Sequence, residues 1–262
     1  MKSRELLIYL SLRFEGDWEK MYEFIVKKIT DFDAEEASKM ANSIKYKAVT
    51  ILDDDYPEYL KRVYKPPFVI YYYGDFSLMK DYLKCFAVIG SRKHSEYGEL
   101  MTTKLTAELS KEFIIVSGLA KGIDSIAHKT AIENGGKTIG ILGSGIDCCY
   151  PKESAELYNT IKEHHLIISE YPGNCEPSSD HFPMRNRLIA CLSRGLLVTD
   201  ANYRSGTSIT VSYALEMGRA VCCVPHLATE HSLCNRLIMD GAKFTETVED
   251  IFDELNYKSN SI

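Results

Sequence analysis

Residues 113–143, FIIVSGLAKGIDSIAHKTAIENGGKTIGILG, decide how this chain folds. An apolar run, FIIVSG, ends in a small-residue turn. A helical stretch, KGIDSIAHKTAIENGG, closes on paired glycines, and a second apolar run, KTIGILG, follows. Continuous apolar strands alternating with helices read as a parallel sheet covered on both faces. The pattern continues outward through CFAVIG (85–90), HLIISEY (165–171), GLLVTDA (195–201) and AVCCVP (220–225). Helical stretches lie between them: GELMTTKLTAELSKE (98–112), ESAELYNTIKE (153–163) and TSITVSYALEMGR (207–219). The expected fold class is α/β, an extended Rossmann-like parallel sheet with a small N-terminal helical domain.

Residues 1–45 contain no proline and are rich in Lys, Glu, Met, Leu and Ile, and DFDAEEASKMANS (31–43) reads as a short capped helix. Next comes TILDDDYPEYLKRVYKPPFVIYYYGD (50–75), with Tyr56-Pro57 and Pro66-Pro67 as breakers and FVIYYY as a strand. The expected division is a helical domain at 1–48, the Rossmann-like domain at 49–250 and a tail at 251–262. The chain has no apolar run near the roughly 18 residues that a membrane span needs. Its first residues return quickly to charges and offer no small-residue cleavage site, so a cytoplasmic location is expected.

The 262 residues carry 31 basic and 37 acidic side chains, a net charge of -6, which argues against coating nucleic acid through bulk charge. The acidic excess is concentrated after residue 224, where 3 basic face 7 acidic residues, so the central region can still present a positive face. The eight cysteines, Cys85, Cys148, Cys149, Cys175, Cys191, Cys222, Cys223 and Cys234, form no Cys-x-x-Cys pair and fall mostly in or beside apolar strands. They read as buried thiols rather than metal ligands or disulfides. No metal and no cofactor are expected.

In open α/β sheets ligands bind outside the carboxyl ends of the strands. Four such ends carry unusual chemistry. Gly90-Ser91-Arg92 turns directly from a strand toward a helix, where backbone N–H groups can cradle a phosphate and the arginine adds a bidentate donor. The competing reading is a tight turn with a solvated arginine. Ser117, Gly118, Lys121 and Gly122 supply a second such turn. On its helix Asp124 and His128 stand four apart, better read as a hydrogen-bonding group and a packed one than as a catalytic pair. Gly143-Ser144-Gly145 ends a third strand, with Tyr150, Pro151 and Lys152 entering the next helix. A lysine there opposes the helix dipole and invites an anionic partner. The fourth is FPMRNR (182–187), where Arg185, Asn186 and Arg187 open an apolar helix, followed by the turn at Ser205, Gly206 and Thr207. Neither arginine has an obvious carboxylate at i+4, and pairing with an acid elsewhere, such as Glu170 or Asp200, is the alternative to phosphate contact. Several phosphate-sized cradles along one sheet edge fit a chain of phosphates better than a single nucleotide.

GSRKHSEYG, VSGLAKGIDSIAH, GGKTIGILGSGID with YPKES, SEYPG, FPMRNRLIACLS and RSGTSIT, in this order, resemble the DNA-processing protein A family (DprA, also called Smf) from about Leu52 to Ala242. The resemblance implies a bacterial protein that binds and protects single-stranded DNA and helps load the RecA recombinase onto it during natural transformation. It implies DNA contacts at Arg92 and Lys152. It also implies a homodimer through residues 234–242, with Cys234, Leu237, Ile238 and Gly241 at an interface shared with RecA contact, and it makes residues 1–48 a small SAM-like helical domain. The phosphate-binding turns and the Arg185 and Arg187 guanidiniums are additional candidates on physical grounds. Ser154, Asp200, His226 and Leu233 depart from the residues usual in the family. About a dozen residues follow Glu249, too few for the winged-helix domain some members carry.

The rival reading is a nucleotide phosphoribohydrolase-like enzyme of the same fold, whose P-G-G-x-G-T-x-x-E signature places a catalytic glutamate three residues after its threonine. Here the aligned turn is Arg204 to Thr210, and Thr210 occupies the carboxylate position. Without that acid, nucleobase departure loses its general-acid assistance. A binding protein rather than an enzyme is expected.

Overall fold

The computed structural model describes residues 2–203 and 205–256. Three helices come first: α1 (Ser3–Arg13), α2 (Trp18–Val26) and α3 (Ala34–Asn42). Asp17 and Asp33 cap α2 and α3, their carboxylates accepting from backbone N–H groups of the first turn. Strands β1 (Lys47–Thr50) and β2 (Val69–Gly74) follow, then β3 (Cys85–Ile89), α4 (Glu96–Glu112), β4 (Ile114–Ser117), α5 (Ile123–Glu133) and β5 (Thr138–Ile141). The chain continues through α6 (Ala155–His164), β6 (Leu166–Ser169), α7 (His181–Cys191), β7 (Gly195–Val198), α8 (Thr207–Glu216), β8 (Ala220–Cys223), α9 (Leu233–Met239), β9 (Lys243–Phe244) and α10 (Val248–Glu254).

One nine-stranded sheet runs in the order β1-β2-β6-β5-β4-β3-β7-β8-β9. Strands β3 to β9 pair in parallel, as the apolar runs predict. The expected Rossmann-like sheet is thus present, and β1 and β2 extend it antiparallel beyond β6. Alternate residues of β3 point to opposite faces, Ala87 and Ile89 toward α7 and α8, Phe86 and Val88 toward α4, α5 and α10.

The boundaries of the expected domains shift. β1 begins at Lys47, inside the segment assigned to the helical domain. Leu7, Ile8, Leu10, Met21 and Phe24 of α1 and α2 share one apolar cluster with Val69, Tyr71 and Ile167 of the sheet. At the other end α10 crosses the 250/251 boundary and buries Ile251 completely, so the first part of the expected tail belongs to the domain. Residues 257–262 of that tail, and Arg204, lie outside the described residues.

β3 is where the topology switches direction: the chain from β3 runs out through β4, β5 and β6 on one side, then returns to place β7 on the other. The crevice outside the carboxyl ends of β3 and β7 is the position where such sheets bind ligands.

Candidate nucleic-acid interface

At that switch point lies a cavity of about 730 Å³. It brings together Gly90, Ser91 and Arg92 after β3, Ala120 and Asp124 after β4, Arg185 and Asn186 of α7, and Ser205, Gly206 and Thr207 at the start of α8. A small crevice of about 60 Å³ beside it is lined by Arg92, Gly118, Lys121, Gly143, Tyr150 and Pro151, with Phe182 between them. Candidates scattered over more than a hundred residues of chain therefore share one edge.

They divide into an exposed rim and a buried wall. On the rim, Arg92 and Lys152 are exposed, and Arg92 lies over the Phe182 ring at 5.0 Å from its centroid. Lys121 is also exposed and pairs with Glu153 at 2.9 Å. Gly122 holds the β4 turn at φ +79, where a Cβ would meet the Ser91 carbonyl at 2.3 Å, so only glycine lets the β3 and β4 turns touch. Asp200 braces the first turn from below. Its carbonyl accepts from Ser91 N–H at 2.7 Å, and its carboxylate accepts from Ser95 N–H at 2.7 Å and the Ser95 hydroxyl at 2.8 Å.

The wall corrects several expectations. Arg187 is fully buried and spends five donors inside the fold. Nη1 and Nη2 donate to Glu170 at 2.5 and 2.7 Å, and the rest reach the carbonyls of Tyr64, Lys65 and Met184. Burial disfavours its charge, but the Glu170 carboxylate outweighs this and the pKa moves upward. Arg187 is therefore a brace inside the fold, the alternative that named Glu170. Arg185 is also buried, and donates from Nη1 to the carbonyls of Gly118 and Ile141 and from Nε to Asn186 Oδ1. Burial lowers its pKa to about 10, against the pull of Asp124, so it stays charged at neutral pH. Gly118 has no side chain because a Cβ there would meet the Arg185 guanidinium at 2.5 Å. Asn186 donates to the Gly206 carbonyl at 3.3 Å, so the Arg-Asn-Arg run ties together the turns after β4, β5, β6 and β7.

Two serines of the candidate turns spend their hydroxyls internally. Ser117 donates to the Val88 carbonyl at 2.6 Å, and Ser91 closes its own turn through Lys93. Asp124 accepts from Gly118 N–H at 3.2 Å, and His128 packs in the interior with Nδ1 at 2.6 Å from the Thr138 hydroxyl, the hydrogen-bonding and packing roles expected of them. Gly143 lies buried at the crevice wall. Phe182 and Asn202 line the site without being candidates in the sequence, and Tyr150 and Thr210, named there beside the candidate turns, line it as well. The aromatic residue three positions ahead of Arg185 is the available signal for Phe182.

Around α9, Cys234 is fully buried with Sγ near the Val198 carbonyl, so it has no surface to offer an interface. Leu237 and Ile238 are half-buried and Gly241 is exposed. The unusual His226 is accommodated: its backbone N–H and C=O both bond to the Asn235 side chain at 2.9 Å, which fixes the loop onto α9. All eight cysteines are free thiols, and burial raises the pKa of each of the five innermost. Among the described residues no cluster of three or more His, Cys, Asp or Glu could hold a metal, and no helix is long and apolar enough to cross a membrane.

Residues 47–256 match the family model of DNA recombination-mediator protein A. The DNA processing protein DprA of Streptococcus pneumoniae is 40% identical over 86% of this chain and 80% of its own. An X-ray structure of DprA from that organism superposes with a TM-score of 0.81 at 35% identity, covering 99% of this chain and 94% of that one. A structure of DNA processing protein A from Helicobacter pylori, described in terms of its single-stranded DNA binding mode, superposes with a TM-score of 0.74 at 27% identity, covering 82% and 99%. With its sequence matched from β1 to the end of α10 and its whole fold shared with solved relatives, this chain belongs to the DNA recombination-mediator protein A family.

Proposed function

We propose that this protein binds single-stranded DNA along the carboxyl edge of its sheet, shields it, and helps load the RecA recombinase onto it during natural transformation. The observation that carries the binding step is the convergence of Arg92, Lys121, Tyr150 and Pro151 around one crevice, with the exposed Lys152 next in the chain after Pro151. The single-stranded DNA binding mode described for the Helicobacter pylori relative supports the choice of ligand. Phosphates lie against Arg92, Lys121 and Lys152, while Phe182 and Tyr150 offer aromatic faces to the bases. Recognition is largely sequence-neutral, because the rim presents charge and rings rather than a pattern of base-edge donors.

A homodimer lengthens this short path. Leu237 and Ile238, with Met239 exposed at 77%, form its face on α9. The RecA contact uses the same region in this reading. A binding role is favoured over hydrolysis because Thr210 stands in the cavity where the phosphoribohydrolase-type enzymes place their glutamate.

Anisotropy of a labelled single strand of ~20 nucleotides across a salt series tests the path, with the matching duplex as control. The parent is expected to prefer the single strand, and Arg92→Ala/Lys152→Ala to lose that binding. Equal binding by parent and variant removes the proposed path. Incubation with nucleoside monophosphates tests the enzymatic alternative, and release of free base would establish it.

A further inference from the structure

The cavity at the switch point holds donors that a strand lying along the rim cannot reach. Arg185 is 4% exposed yet lines the cavity. Nε and Nη1 are spent on Asn186, Gly118 and Ile141, while Nη2 makes no hydrogen bond among the described residues. Thr207 and Thr210, 7% and 2% exposed, line the same space, and neither hydroxyl has a partner among the described residues. Ser205 Oγ, also in this lining, is buried without a partner. Helix α8 starts at Thr207, so its positive end adds to the same region.

A fixed guanidinium with one nitrogen unspent, ringed by hydroxyls and a helix N-terminus, matches an anion with several oxygen acceptors. The carboxylate in the wall, Asp124, is engaged by Gly118 N–H, and burial pushes its pKa upward, toward the neutral acid. At about 730 Å³ the cavity is far larger than a bare phosphate needs and has room for a sugar and base behind one.

We propose that this cavity is a phosphomonoester site that takes the 5′-phosphate of a nucleotide, with Arg185 Nη2 and the hydroxyls of Ser205, Thr207 and Thr210 as its donors. The inference rests on the proposed nucleic-acid role of the same edge and adds a second ligand chemistry to it. A phosphomonoester carries about 1.5 to 2 negative charges at neutral pH, against one for the diester inside a strand, and presents one more free oxygen. Buried charge selects it for both reasons. The ligand is either a free nucleotide or the 5′-phosphorylated end of a strand.

Two pairs of probes separate these sources. Calorimetry compares thymidine 5′-monophosphate with thymidine. Anisotropy compares single strands labelled at the 3′ end that carry a 5′-phosphate or a 5′-hydroxyl. The phosphorylated member of at least one pair is expected to bind about tenfold tighter or more, with that ratio falling toward one in Thr210→Val and in Ser205→Ala. Discrimination confined to the free nucleotide assigns the site to a soluble mononucleotide, and discrimination between the strands assigns it to a strand end. Equal binding within both pairs overturns the proposal, and a ratio unchanged in both variants overturns the residues assigned to it. The 5′-hydroxyl strand reports the rim path alone, so its failure to bind while the monoester preference survives overturns the rim reading and leaves this one standing.

Discussion

Arg92 and Arg187 stand in two motifs that the sequence offers as candidate phosphate contacts, and the fold surrounds them in opposite ways. Arg92 is exposed over the Phe182 ring, while Arg187 is fully buried with a carboxylate and three carbonyls around it. Arg92 donates no side-chain hydrogen bond to the described residues. Arg187 has used five to hold the edge in shape. Basic residues at a binding edge thus serve either the ligand or the scaffold, and burial with a complete set of acceptors tells which.

The largest effect should come from breaking the brace. Arg187→Ala leaves Glu170, its side chain 10% exposed, and three carbonyls without their donor, and removal of one partner of a buried pair costs about 3–5 kcal/mol. Chemical denaturation should show that loss, and Arg187→Lys should recover little of it because an ammonium cannot reproduce the bidentate geometry. A stable Arg187→Ala protein that loses only DNA affinity would place Arg187 on the ligand side of the comparison.

The opposite outcome is expected on the rim. Arg92→Ala/Lys152→Ala should leave the unfolding midpoint unchanged while lowering single-strand affinity about a hundredfold at low salt, and the slope of log K against log salt should fall by about 1.4. A shifted midpoint would mean that the rim is also structural.

The interior supplies a third test through pH. His128 is fully buried with Nδ1 donating to Thr138, whose hydroxyl in turn donates to the Ile115 carbonyl. Burial first, then the nearby His165 and Arg185, lower its pKa to about 3. The folded state therefore holds His128 neutral, while the unfolded chain takes up a proton below about pH 6.5. Stability is lost as pH falls through that value, at up to about 1.4 kcal/mol per unit until pH approaches 3. Denaturation at pH 7 and 5 should show this decline, and His128→Gln should flatten it relative to the parent.

The sequence makes the central strands legible because they are apolar on both faces, as in Ile139 to Ile141 and Leu166 to Ile168. It does not make β1 or β9 legible. β1 is a four-residue strand whose first residue is exposed, and β9 has two residues, so neither carries a period to read. The edge on which the site residues converge follows from the strand ends. The division into rim and brace does not, because the Arg187 partners lie 17 residues away at Glu170 and 123 away at Tyr64. The fold makes the division: α7 buries every residue from Arg185 to Cys191, which leaves its two arginines no route to bulk solvent.

The smallest expected effect is also the sharpest test of what the rim does. Glu153 pairs with Lys121 at 2.9 Å, with side chains 70% and 55% exposed. An exposed pair contributes little to stability, so Glu153→Gln should not move the unfolding midpoint. It removes a negative charge from the path and frees the ammonium of Lys121, and single-strand affinity should rise about two- to threefold at low salt, a gain that fades as salt screens it. Lys121→Gln should lower affinity by a similar factor. If Glu153→Gln instead weakens binding, the carboxylate is positioning Lys121 rather than competing with DNA for it, and the rim would then contain a brace of its own.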